Sequence, residues 1–122
     1  MERAAAVPAD EWFAEHPEAL PVYTRVRELL TPAEPYDVRV TKSQVAFRRR
    51  RGFAYVWLPG MYVDSDVVVV SLALARRVDS DRFKQVVQPR PNLWMHHLEV
   101  HRLDDLDDEV GDWLCEAADA AA

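Results

Sequence analysis

Two stretches of this chain hold the residues best suited to chemistry: the run Arg48-Arg49-Arg50-Arg51 and the segment Trp94-Met95-His96-His97-Leu98-Glu99-Val100-His101. Read as strand, alternation sends Arg49 and Arg51 to the face of Phe47, and Arg48 and Arg50 to the opposite face. Guanidinium groups beside an aromatic strand suit a phosphate or a stacked base. The plain alternative is a solvated hairpin tip whose charges blunt a sheet edge and pair with acidic helices.

In the second segment, Trp94, His96, Leu98 and Val100 share one strand face, and Met95, His97, Glu99 and His101 share the other. Neighbours on one face lie about 6.6 Å apart, so His97 with Glu99, or Glu99 with His101, could each hold one metal. His97 and His101 are about 13 Å apart along a straight strand, too far to converge on one zinc. No metal site is expected. His96, on the apolar face, reads as a hydrogen-bonded core histidine rather than a base.

Nucleophiles fare no better. Cys115 falls among acidic residues that raise a thiol pKa. Ser43, Ser65, Ser71 and Ser80 lack a G-x-S-x-G setting. With 3 glycines in the chain, neither a phosphate loop nor a dinucleotide fingerprint is present, and no cofactor is expected. Asp104, Asp105, Asp107 and Asp108 read as the start of a helix. Phe53, Tyr55 and Trp57 alternate onto one face, either as a stacking platform or as the core side of a sheet beneath a helix bearing Trp113 or Trp12.

The elements that must position these residues differ sharply in charge. Residues 38–102 hold 12 of the 15 Lys and Arg and 5 of the 21 Asp and Glu, a balance of +7, whereas the two ends together carry −13. The basic middle has the period of strands, and the acidic ends have that of helices. Asp10 can cap a short helix to His16. A longer helix over roughly 18–30 offers Leu20, Tyr23, Val26 and Leu30 as its buried stripe. Strands follow at Tyr36–Thr41, Gln44–Arg50, Phe53–Leu58, Val67–Ala75 and Leu93–Arg102. Gly52 is read as supplying turn freedom, and Val67–Ala75 as a central strand covered on both sides. Asp79-Ser80-Asp81 caps a helical turn with Arg82, Phe83 and Lys84, and Pro89–Asn92 is a loop. Asp104 or Asp105 caps a last helix that buries Leu106, Val110, Trp113, Leu114 and Ala117.

The order predicts α+β: two N-terminal helices, about five mainly antiparallel strands in one twisted sheet, and a C-terminal helix. All 122 residues form one domain (1–34 helical arm, 35–102 sheet, 103–122 helix). The lone Cys115 fits a reducing compartment. Neither Met1–Ala6 nor the apolar run Val67–Ala75 provides a signal peptide or membrane span, so a cytoplasmic location is expected.

Several segments together are similar to a small bacterial family catalogued as a domain of unknown function. They are Thr41-Lys42-Ser43-Gln44, Phe47 to Arg51, Phe53 to Trp57, Ala75-Arg76-Arg77, Ser80 to Phe83, Trp94 to His97, and Asp107 to Val110 with Trp113-Leu114. The resemblance spans roughly residues 36–120 and implies a fold rather than a mechanism. Members are sometimes labelled transport proteins, a label this chain, without a membrane segment, does not support. A weaker likeness is to double-wing domains proposed to bind DNA. The shared positions it implies are the arginine run, Arg82, His96 and His97.

These readings converge on a non-enzymatic binding or accessory domain whose basic sheet surface holds an anionic ligand or partner. Arg48, Arg49, Arg50, Arg51 and Arg82 are its candidate contacts, with His96 and His97 as polar contributors. Nucleic acid is one anion of this class. The alternatives are a small histidine- and arginine-dependent enzyme and a homodimer formed through the sheet.

Overall fold

The computed structural model describes residues 6–61 and 67–122, so most of Met1–Ala6 and the Asp64-Ser65-Asp66 loop lie outside the described residues. Its helices are α1 (Ala9–Glu15), α2 (Ala19–Leu29) and α3 (Asp108–Ala120). Its strands are β1 (Asp37–Val40), β2 (Gln44–Arg48), β3 (Gly52–Trp57), β4 (Val68–Leu74), β5 (Gln85–Arg90) and β6 (Leu93–Val100). They pair antiparallel throughout, in the order β1-β2-β3-β4-β6-β5. The fold is α+β. Ala6 bridges to Thr41, and the Val7 amide bonds the Val40 carbonyl, so chain lies along the β1 edge.

The sixth strand is β5, which follows the expected helical turn at Arg82–Lys84 and takes in the first residues of the expected loop Pro89–Asn92. Val86 and Val87 are its only apolar residues, too few for a periodic signal, and the pairing with β6 decides the conformation. Proline is tolerated at Pro89 because β5 is an edge strand. The β5–β6 turn is made by Asn92, whose φ of 63° is in the left-handed region that Asn accepts.

The helices pack on one face of the sheet. Val22, Val26 and Leu30 are buried there with Val45, Phe47, Val56, Val70, Leu72, Leu98, Val110, Trp113 and Leu114. Side chains of this size contribute about 1.5–3 kcal/mol each when removed from water. The buried stripe of α2 is Ala19, Val22, Val26 and Leu30, whereas Leu20 is 45% exposed and Tyr23 is half-buried. The expected stripe is thus rotated: Ala19 and Val22 take buried positions, and half-buried Tyr23 stacks on Phe47.

Caps also shift. Pro8 stands at the N-cap of α1 without a side-chain bond, leaving Asp10 inside the first turn. Asp107, rather than Asp104 or Asp105, caps α3 by accepting from the Val110 amide at 3.1 Å. Asp105 instead accepts from the amides of His101 and Arg102, bracing the turn between β6 and α3. Gly111 lets α3 approach α2, since a Cβ there would meet Leu29 at 3.0 Å.

A bulge in β3 changes which aromatics share a face. Arg48 pairs with Gly52 and Phe47 with Ala54, so Phe53 is the extra residue. Phe53 turns into the helix-covered core, fully buried and edge-on to Tyr36. Tyr55 and Trp57 stay on the other face, half-buried. The expected row Phe53-Tyr55-Trp57 is therefore divided between two faces.

Gly52 has no positive φ, so turn freedom is not its role. A Cβ at Gly52 would stand 2.1 Å from the Tyr55 hydroxyl oxygen, so the missing side chain is space occupied by the phenol.

Candidate functional site

The face of the sheet opposite the helices carries no helix among the described elements. Register places Gln44, Ala46 and Arg48 of β2 there, with Tyr55 and Trp57 of β3 and Val69, Ser71 and Ala73 of β4. From β6 and β5 it receives Met95, His97, Glu99, Gln85 and Val87. Every residue of β4 is buried, yet among the described residues no helix or second sheet lies over this face. Small Val69, Ser71 and Ala73 form a floor, overhung by larger side chains of the flanking strands. The expectation that β4 is a central, fully buried strand holds, and among the described residues the flanking side chains rather than a second layer bury its open-face positions.

Around that floor, Gln44, Tyr55, Trp57, Ser71, Met95 and His97 line an open depression of about 330 Å³. Its centre is a hydrogen-bonded chain. Trp57 Nε1–H donates to Ser71 Oγ at 2.8 Å, and Ser71 Oγ lies 2.6 Å from His97 Nδ1. Indole only donates, so the simplest pattern satisfying all three sends the Ser71 hydrogen to Nδ1 and leaves the imidazole proton on Nε2. The Trp57 and His97 rings stand 6.1 Å apart at 80°, as two walls of a corner. Burial lowers the His97 pKa below its ordinary 6.5, consistent with a neutral ring that accepts at Nδ1. Burial also raises the Tyr55 hydroxyl pKa, against the pull of Arg48 and Arg51.

The structure disperses the arginines. Arg49 turns to the helix-covered side, donating to the Ala118 carbonyl at 2.9 Å and to the Ala33 carbonyl. Arg51 donates to the Ala120 carbonyl at 2.9 Å. Both cations therefore sit at the C-terminal end of α3, where its unpaired carbonyls and dipole favour positive charge. Arg50 is exposed and contributes its backbone amide to the Ala121 carbonyl at 2.9 Å. Arg82 serves the opposite end of the helix: it bonds Asp107, Glu109 and the Asp105 carbonyl and lies over the Trp113 ring. Arg76 forms a two-point pair with Glu116 along the helix. Much of the sheet's positive charge is thus answered by α3. Arg48 is the member of the run that shares the open face.

The histidines separate as their parity requires. His96 is buried on the helix side, accepting from the Val78 amide at Nε2 (2.9 Å) and bonding the Trp94 carbonyl through Nδ1 (3.1 Å). With both nitrogens in use and Phe83 edge-on to its ring, it is a packed core histidine whose pKa burial lowers. His97 lies on the open face. Glu99 and His101 come within 3.5 Å of each other, and no cluster of three metal-ligating side chains occurs among the described residues. Cys115 faces the Leu29 carbonyl; burial, with Asp119 and Asp112, raises its thiol pKa.

Gln44 and Met95 are site residues that sequence reasoning passed over. The parity of Met95 with His97 was readable, but only the cross-strand register puts Gln44 opposite Trp57 and Met95 beside the floor. Ser71 likewise reads from sequence as one apolar-strand serine. Its role appears once β4 is flanked by both β3 and β6.

A sheet with one helix-packed face and one aromatic-lined face without a helix among the described residues defines a small α+β domain. The chain belongs to the family described as a domain of unknown function, DUF5655, whose model matches residues 9–120. No curated protein and no solved structure matches it. Among the described residues, no helix is long and apolar enough to cross a membrane.

Proposed function

We propose that this domain is a non-enzymatic binding module whose open sheet face holds a small anionic ligand. The observation that carries the reading is the depression bounded by half-buried Tyr55, Trp57, Met95 and His97 over a floor of small side chains. A mostly apolar concavity with a few fixed polar groups is the usual form of a small-molecule site. Arg48, on the same face and acting on the Tyr55 hydroxyl, supplies the positive charge. Arg49, Arg51 and Arg82 support the surface indirectly, by holding α3 against the other side of the sheet.

A hydrolytic role for the Ser71–His97 pair is less well supported. Ser71 is 2% exposed, and its oxygen already accepts from Trp57. An electrophile would have to displace that contact to reach it.

A thermal-shift screen of anionic metabolites at low and moderate salt tests the proposal, because a ligand that binds only the native state raises Tm. The expected result is a shift that weakens with salt and is lost in both Arg48→Ala and Trp57→Ala. A shift that survives both substitutions would put the site elsewhere and overturn the reading.

A further inference from the structure

We infer that the open face takes one planar nitrogen heterocycle bearing an anionic group, the chemistry a nucleoside monophosphate presents. This deepens the reading of the face as a ligand site and rests on it.

The corner between Trp57 and His97 is the first reason. Their rings meet at 80°, and Ser71 holds both by hydrogen bonds, so the corner exists before anything binds. Preorganisation of this kind removes an ordering cost that a loose aromatic would carry into binding. A flat ring laid on the indole presents its edge to the imidazole. With Nδ1 committed to Ser71, Nε2–H donates to a ring nitrogen or carbonyl at that edge.

Gln44 is the second. It pairs directly with Trp57, and its side-chain amide offers a donor and an acceptor in one plane. That pair matches the edge of a heterocycle carrying both kinds of group, and a plain hydrocarbon ring would leave it unsatisfied. Met95 adds a polarisable contact for a ring edge.

Size and charge are the third. The depression of about 330 Å³ stands at the lower end of small-molecule sites, suited to one ring system. Arg48 lies two residues beyond Ala46, which is itself opposite Tyr55, so the cation stands on the Tyr55 side of the same face. An anionic substituent extending past Tyr55 meets it there, and stacking plus a guanidinium is a recurrent way to hold a nucleotide.

The test is a ¹H–¹⁵N NMR titration following the Trp57 indole N–H, assigned with Trp57→Phe. The probes are adenosine and uridine monophosphates, the matching nucleosides, and ribose 5-phosphate. The monophosphates should move the Trp57 signal and bind about tenfold more tightly than the nucleosides. Arg48→Ala should erase that difference, and Gln44→Ala, at a half-buried position of the rim, should weaken all ring-bearing probes. A tetranucleotide with the same affinity per site as the mononucleotide assigns the ligand to free nucleotides, and a large gain assigns it to a strand; both outcomes keep the inference. Ribose 5-phosphate perturbing the face as strongly as the monophosphates would overturn the ring while leaving an anion site in place. Silence from every probe at millimolar concentration would overturn the heterocycle, and the metabolite screen would then decide the face separately.

Discussion

Ser71 and His97, directly opposite on neighbouring strands, are joined by a 2.6 Å contact between Oγ and Nδ1. A short polar bond at the centre of an otherwise apolar floor ties the protonation state of the imidazole to the geometry of Trp57, which shares the same hydroxyl. Acid should therefore act on the fold through this point.

Both His97 and His96 are held below the ordinary imidazole value of 6.5 by burial. A depressed folded-state pKa means the unfolded chain binds protons first as pH falls. Stability is then full above 6.5 and declines as pH drops from there toward the folded-state values, by no more than about 1.4 kcal/mol per pH unit for each histidine. Urea unfolding from pH 8 to pH 5 measures this. His97→Gln should flatten the decline, and an unchanged slope would remove His97 from the explanation.

Ser71→Ala leaves the Trp57 N–H and His97 Nδ1 without their shared partner. The expected loss is about 1–3 kcal/mol, because unsatisfied buried polar groups cost more than a hydrogen bond returns. Chemical denaturation gives the number. The Trp57 indole resonance should broaden or move in the same variant, which a general loss of packing would not single out.

Arg49, Arg50 and Arg51 of the hairpin should respond unequally. Arg49→Ala removes donors from the carbonyls of Ala118 and Ala33, and Arg51→Ala from that of Ala120. Each should destabilise by about 1.5–3 kcal/mol, the range for hydrogen bonds involving charged groups. Arg50→Ala, which keeps the backbone amide bonded to Ala121, should stay within about 0.5 kcal/mol. Equal effects at all three positions would contradict the division of the run between core-supporting and solvated side chains.

Arg82 joins two carboxylates and a carbonyl at the start of α3. Arg82→Lys should fail to restore what Arg82→Ala loses, since an ammonium has no planar fork to span three acceptors. A double-mutant cycle with Glu109→Gln should show coupling of about 0.5–3 kcal/mol, the range for residues in one network. Additive effects would mean the pair is only a surface contact.

Gly52→Ala should destabilise by about 1–3 kcal/mol through overlap with the Tyr55 phenol. Combined with Tyr55→Ala, it should cost much less than alone, because the space is then free. A Gly52→Ala penalty that persists in the Tyr55→Ala background would return the glycine to a backbone role.

Much of this architecture is written in local patterns. Alternation in Val38–Val40, Gln44–Phe47 and Leu93–Val100 gave strands, and the spacing of Val110, Trp113, Leu114 and Ala117 gave the last helix with its buried stripe. Parity alone separated His96 from His97 correctly. What was hidden depends on pairing between distant segments. The single extra residue at Phe53 reverses a face, and no local pattern announces it. The weakly apolar β5 is a strand because β6 lies beside it. The arginine run shows the same limit from the other side: its parity was legible, but the carbonyls that Arg49 and Arg51 serve lie 69 residues further along the chain, at Ala118 and Ala120.

The position of β5 has one more consequence. A sheet that ends in an exposed strand is a template on which another chain can add itself, the first step toward fibrous growth. At the β1 side, Ala6 and Val7 already meet the Val40–Thr41 end of the margin. At the β5 side, Pro89 has no N–H to offer, and Lys84 and Arg90 bracket the strand with like charge. An antiparallel copy approaching this margin would bring Lys84 toward Arg90 of its twin. The sixth strand therefore acts as a terminator, and the sheet can keep one face without a helix among the described residues while still blocking unlimited extension at this edge.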